Sequence, residues 1–136
     1  METKKPVTIL VIDDDDDIRS AVALCLRETD LNPTVLTAHN ALTGLKLAKD
    51  HIPDLIVLDL QMPMGSGFDF ITELKRDPKL ARVKILILSA AATQSNIWES
   101  IDQGIDDFLA KPFDIAELEA RVMSLLAKEQ AGSGTI

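Results

Sequence analysis

The sequence predicts an α/β fold, a doubly wound parallel sheet with helices on both faces. Short runs at Val7–Ile12, Leu55–Leu58 and Val83–Leu88 are almost continuously apolar rather than alternating, as in strands covered on both sides. Between them lie stretches with apolar residues every three or four positions, so strand and helix alternate as right-handed parallel crossovers require. The unusual polar residues all fall at the carboxyl ends of the strand runs, where folds of this class hold their ligands.

After a polar lead-in, Val7–Ile12 reads as a buried strand that runs into five aspartates, Asp13–Asp17. Asp16–Arg27 is a helix with Ile18, Ala21, Val22, Cys25 and Leu26 on its inner face. Aspartates suit its positive end, and Asp15, Asp16 and Asp17 are expected as cap and solvated residues. Asp30–Pro33 is a turn and Thr34–Ala38 a short strand. Asn40 caps a helix from Ala41 to about Asp50, with Leu42, Leu45 and Ala48 inward and Gly44 weakening it. Leu55–Leu58 is a strand ending at Asp59, and Gln61–Gly67 is a loop. Phe68–Arg76 is a helix stopped by Asp77-Pro78. Val83–Leu88 is a strand ending at Ser89. A connection, Ala90–Gln94, leads to a helix near Ser95–Gln103 that ends at Gly104. Asp107–Ala110 is a brief strand ending at Lys111. Asp114 and Glu117 have the spacing of an acidic capping box. Ile115, Leu118, Val122, Leu125 and Leu126 line one face of the last helix, and Ala131–Ile136 is a frayed tail.

The 136 residues suit a single domain, with a core from about Val7 to Lys128 and short polar termini. No apolar run reaches the ~20 residues that cross a bilayer, and no basic-then-apolar leader opens the chain, so a cytoplasmic protein without membrane partners is expected. One cysteine, Cys25, excludes an internal disulfide, and two histidines with one cysteine give no zinc pattern. The net charge of −8 disfavours direct nucleic-acid binding by this domain and favours cations and basic surfaces.

Five consecutive carboxylates cannot be core. Asp13 and Asp14, at a strand end near Asp59, would repel one another, and a divalent cation relieves that repulsion. A solvated acidic turn is the bland alternative. Asp59 stands alone at the end of an apolar strand, where a carboxylate can act as nucleophile and carry a phosphoryl group, or serve only as a third metal ligand. Lys111 could cancel further negative charge or simply pair with an aspartate. Ser89 could donate to a phosphoryl oxygen or be an ordinary satisfied loop hydroxyl.

Four segments together resemble the receiver domain of two-component response regulators: ILVIDDD from Ile9, DLQMPMGSG from Asp59 to Gly67, LSA from Leu88 to Ala90, and FLAKPF from Phe108 to Phe113. The resemblance covers about Val7 to Lys128. It implies a flavodoxin-like three-layer (βα)5 sandwich with sheet order 2-1-3-4-5. It makes Asp59 the acceptor of a phosphoryl group from a histidine kinase or histidine phosphotransfer protein. It implies Mg2+, with Mn2+ a workable substitute, held by Asp13, Asp14, Asp59 and the backbone carbonyl of Gln61. Ser89 resembles the switch hydroxyl, Lys111 the phosphoryl-contacting lysine, and Phe108 the switch aromatic. The Lys111-Pro112 bond is usually cis in the family.

Ala41 stands where many members have glycine, and Gln103 and Ile105 where alanines are common. Phe108 lacks the hydroxyl of the commoner tyrosine. The resemblance further implies a phosphorylation-driven population shift, Ser89 moving toward the phosphoryl group and Phe108 swinging inward. The face built from the helix near Ser95–Gln103, the strand at Asp107 and the last helix would carry the change to an output domain, an effector or a homodimer partner. On it, Ile97, Trp98 and Ile101 form either a docking patch or ordinary core. The chemistry is self-phosphotransfer and autodephosphorylation, not independent turnover. A phosphorylation-independent pseudo-receiver is the alternative from another class. A magnesium-dependent phosphohydrolase ranks last, for want of a base beside Asp59.

Overall fold

The computed structural model describes residues 6–59, 67–90 and 104–134, with side chains at 67, 68, 90 and 128–134 excepted. Five strands form one sheet: β1 (Thr8–Ile12), β2 (Thr34–Ala38), β3 (Leu55–Asp59), β4 (Lys84–Ala90) and β5 (Asp107–Lys111). Four helices are described: α1 (Asp16–Arg27), α2 (Ala41–His51), α3 (Gly67–Arg76) and α4 (Ile115–Gly134). The strand order is β2-β1-β3-β4-β5 and every pairing is parallel. The order reverses between β1 and β3, so a crevice is expected at their carboxyl ends. The expected connection at Ala90–Gln94 lies outside the described residues beyond Ala90. So do the helix near Ser95–Gln103, with Ile97, Trp98 and Ile101, and the loop 61–66.

Strand residues alternate between two cores, because successive side chains point to opposite faces. Ile9 and Val11 of β1, Leu55 and Val57 of β3, and Leu86 and Leu88 of β4 pack with α1 and α4. Leu10, Ile12, Ile56, Leu58, Ile85 and Ile87 pack with α2 and α3. The apolar runs are continuous because both faces are covered.

The helix starts follow from local hydrogen bonding. Asp15 is the N-cap of α1, accepting from the N–H groups of Asp17 and Ile18 at 2.9 and 3.1 Å. Asn40 caps α2, accepting from Thr43 N–H at 2.8 Å. The expected capping box at α4 is not formed. The Asp114 carbonyl accepts from Glu117 and Leu118 N–H, while the Glu117 carboxylate turns to Arg121 at 3.8 Å.

Several inward assignments need correction. On α2 the buried positions are Gly44 and Ala48, with Leu45 partly buried, and Leu42 is 81% exposed. A Cβ at Gly44 would lie 2.9 Å from Ile12 Cγ1 and nearer still to its Cδ1. The close approach to β1 therefore sets the rotation of the helix and turns Leu42 outward. On α1, Ala23 is buried and Ala21 exposed, and on α4 Ile115 is half exposed. Ala21 and Ile115 border an apolar cleft of about 420 Å3 between α1 and the segment Lys111–Phe113. The last helix also extends to Gly134, through the residues expected to fray. Its backbone bonds are local and need no tertiary partner.

Candidate functional site

The carboxyl edge of the sheet brings the predicted residues together. Asp13 directly follows β1, Asp59 ends β3, Ser89 lies in β4 and Lys111 ends β5. Register makes this inevitable once the sheet forms: Ile12 pairs with Leu58, Asp59 with Leu88, and Ala90 with Lys111.

Asp13 is fully buried and its backbone is held from both sides. Its N–H donates to the Ala38 carbonyl at 3.1 Å. Its own carbonyl accepts from Arg19 Nη1 at 2.9 Å, and Asp13 Oδ1 accepts from Asp15 N–H at 2.9 Å. The remaining oxygen, Oδ2, is buried without a hydrogen-bond partner among the described residues. Lys111 Nζ approaches it only to 3.8 Å. Asp59 is 2% exposed, and its Oδ2 lies 3.4 Å from Lys111 Nζ. The ammonium thus sits between two buried carboxylates, nearer to Asp59.

One oxygen from each of Asp13, Asp14 and Asp59 can be chosen so that all three lie within 4.8 Å of one another. Asp14 is exposed, and the other two are buried. Burial is the main reason the Asp13 carboxyl is raised from 3.8 to about 6. The Asp59 charge pushes the same way, while the Asp15 N–H and Lys111 pull it down without winning. Crowded, desolvated acids hold a proton more tightly than water-exposed ones, and a cation can take the proton's place. The orphaned Asp13 Oδ2 and the all-oxygen donor set fit a small hard divalent cation such as Mg2+. The Gln61 carbonyl, the other expected ligand, lies outside the described residues.

Ser89 lies in a strand rather than a loop. β4 continues through Ala90, Ser89 pairs with Ala110, and its Oγ is fully buried with no hydrogen-bond partner among the described residues. An unpaired buried hydroxyl costs on the order of 1–3 kcal/mol, which a phosphoryl oxygen could recover by accepting its proton. Phe108 pairs with Ile87, two residues before Ser89, and is partly buried against the α2–α3 core. Lys111-Pro112 is cis.

One contributor was not picked out in the sequence: Arg19, whose guanidinium holds the Asp13 carbonyl. The available signal was electrostatic. A cation in the first turns of α1 works against the helix dipole and wants a specific acceptor.

The model of the "Response regulator receiver domain" family matches residues 9–123. Among similar proteins, Response regulator Rre1 of Synechocystis sp. is 33% identical over 129 residues, covering 95% of this chain and 55% of its own length. The DNA-binding dual master transcriptional regulator RpaA, from the same organism, is 38% identical over 120 residues, covering 88% and 49%. The chain therefore spans about half the length of these curated relatives. Among solved structures, the receiver domain of AraT, a response regulator from Geobacillus stearothermophilus, superposes with a TM-score of 0.84. It is 25% identical, with 95% of this chain and 99% of that one covered. Sheet order, site and family model agree: the chain belongs to the receiver domain family of two-component response regulators.

Proposed function

We propose that this chain is a phosphorylation-dependent switch of a two-component phosphorelay, with Asp59 as phosphoacceptor. The observation that carries the reading is the buried Asp59 carboxylate, 3.4 Å from Lys111 Nζ and in one cluster with Asp13, whose Oδ2 has no hydrogen-bond partner among the described residues. The donor is a histidine kinase or histidine phosphotransfer protein. Its N–P bond breaks as an Asp59 Oδ–P bond forms. The bonding electron pair stays on the imidazole nitrogen, which takes a proton from solvent.

Asp13, Asp14 and Asp59, with the Gln61 carbonyl, are the residues that would hold Mg2+. Bound there, the ion supplies charge neutralisation for the phosphoryl oxygens. Lys111 is close enough to Asp59 to shift its ammonium to a phosphoryl oxygen. Ser89 offers a buried hydroxyl without a hydrogen-bond partner among the described residues, and Phe108 follows it by repacking. The protein acts on itself and hands the signal on, through a homodimer, an effector or an output domain, in the cytoplasm. Residues 1–136 form one receiver domain with its core at about 7–128.

The test is phosphoryl labelling with Mg2+, using a phosphorylated kinase or acetyl phosphate, on the wild type and Asp59→Asn. Labelling is expected in the wild type and lost in the variant. Persistence of the same acid-stable, base-labile label in Asp59→Asn would move the acceptor elsewhere.

A further inference from the structure

We propose that Arg19 is a positioning residue for the cation site, acting through the backbone of Asp13. The inference rests on the metal site proposed above. Arg19 Nη1 donates to the Asp13 carbonyl at 2.9 Å, and Nη2 pairs with Asp16 Oδ1 at 2.5 Å. The Arg19 side chain is 18% exposed while its Asp16 partner is 82% exposed, so the guanidinium lies under the loop rather than out in water. A planar fork with both nitrogens engaged has a defined orientation, which a lysine's point charge lacks.

The consequence is local and geometric. The N–H of Asp13 is fixed to the end of β2, its Oδ1 to Asp15 N–H, and its carbonyl to Arg19. Among the described residues, Oδ2 is the one polar atom of Asp13 without a hydrogen-bond partner. Arg19 thus ties the first turns of α1 to the last residue before the turn and prevents the Asp13–Asp14 peptide from rotating. That rotation would carry Asp14, the next residue along, away from Oδ2 and from Asp59. Supports of this kind typically change metal affinity 10- to 100-fold.

Charge and geometry predict opposite signs. As a bystander cation near three acids, Arg19 repels Mg2+, and its removal would tighten binding. As a positioning residue, its removal weakens binding. The experiment is calorimetric Mg2+ titration of the full chain as wild type, Arg19→Met and Arg19→Lys. A second readout is metal-free hydrogen exchange at the Asp15 amide. Arg19→Met is expected to bind Mg2+ about tenfold more weakly or worse and to exchange faster at Asp15. Arg19→Lys, which keeps a donor but loses the planar fork, is expected to recover only part of both. Unchanged or tighter binding in Arg19→Met overturns the role of Arg19 while leaving the site intact. Absence of Mg2+ binding by the wild type overturns both. Should Arg19→Met not fold, Asp16→Ala tests the same tie, since it frees Nη2 on an exposed surface, with Asp17→Ala as the control that removes a neighbouring exposed carboxylate. A threefold or greater loss of Mg2+ affinity in Asp16→Ala beyond that in Asp17→Ala supports the role, and an equal or smaller loss overturns it.

Discussion

Asp13 and Lys111 set the resting balance of charge. Lys111 Nζ is the cation between Asp13 Oδ2 and Asp59 Oδ2, at 3.8 and 3.4 Å. Removing one member of a buried charge group leaves the others uncompensated, at a cost of roughly 3–5 kcal/mol when desolvation is complete. Lys111 is 20% exposed, so Lys111→Met should lower metal-free stability by about 1–3 kcal/mol in urea unfolding. Mg2+ should reverse much of that loss, because it replaces the missing charge. Asp13 gives the pH dependence. Its carboxyl is raised to about 6 by burial and by Asp59. Between about 4 and 6 the folded chain holds a proton that the unfolded chain has released. Stability from this group is therefore fully present below about 4 and lost as pH rises through 6. Asp13→Asn is neutral at every pH and isolates the effect. In metal-free unfolding the variant should gain on the wild type by on the order of 1–3 kcal/mol between pH 4 and 8. A constant difference across that range would contradict the assignment. In the wild type, Mg2+ affinity should fall below pH 6, where the proton competes.

At the scale of the elements, the clearest sequence signals were caps and breakers. Asp15, Asn40 and Asp77-Pro78 marked boundaries because each acts through its own backbone neighbourhood. The rotation of α2 was not legible. Leu42 fits an amphipathic period as well as Leu45 does, and only the packing of Gly44 on Ile12 decides between them. Gly44→Ala should accordingly destabilise by about 1–3 kcal/mol, although alanine is the better helix former. Leu42→Ala, at 81% exposure, should change stability by less than about 0.5 kcal/mol. Ile52 closes α2 with φ 48°, a left-handed conformation unfavourable to a β-branched residue, and its side chain is half exposed. Ile52→Asn should raise the unfolding midpoint, by about 0.5–1 kcal/mol in free energy. A destabilised Ile52→Asn would show that the side chain's packing outweighs its backbone strain.

For the molecule as a whole, the architecture was legible because each strand's two faces feed two cores, and a continuous apolar run is the sequence form of that arrangement. The convergence of the candidate site residues at one sheet edge was legible for a related reason. Parallel strands all point the same way, so residues at their carboxyl ends converge wherever they lie in the chain. Asp13, Asp14, Asp59, Ser89 and Lys111 could therefore be read from position alone. Arg19 could not, since its role depends on a backbone carbonyl that carries no sequence signature. The pairing of Ser89 with Ala110 was equally hidden, because strand ends shift by a residue or two with tertiary context. If the acidic cluster binds a cation in the folded state alone, Mg2+ at 100 times its dissociation constant should add about 2.7 kcal/mol, visible as a rise in melting temperature that chelation reverses.

If Asp59 is phosphorylated as proposed, the ladder position of Ser89 restricts how that residue can respond. Its backbone is clamped beside Ala110, and the next rung joins Ala90 to Lys111. The hydroxyl can turn about its own Cα–Cβ bond without cost to the ladder. Any larger travel must unzip that final rung, and then the serine and the lysine are released in one event rather than in succession.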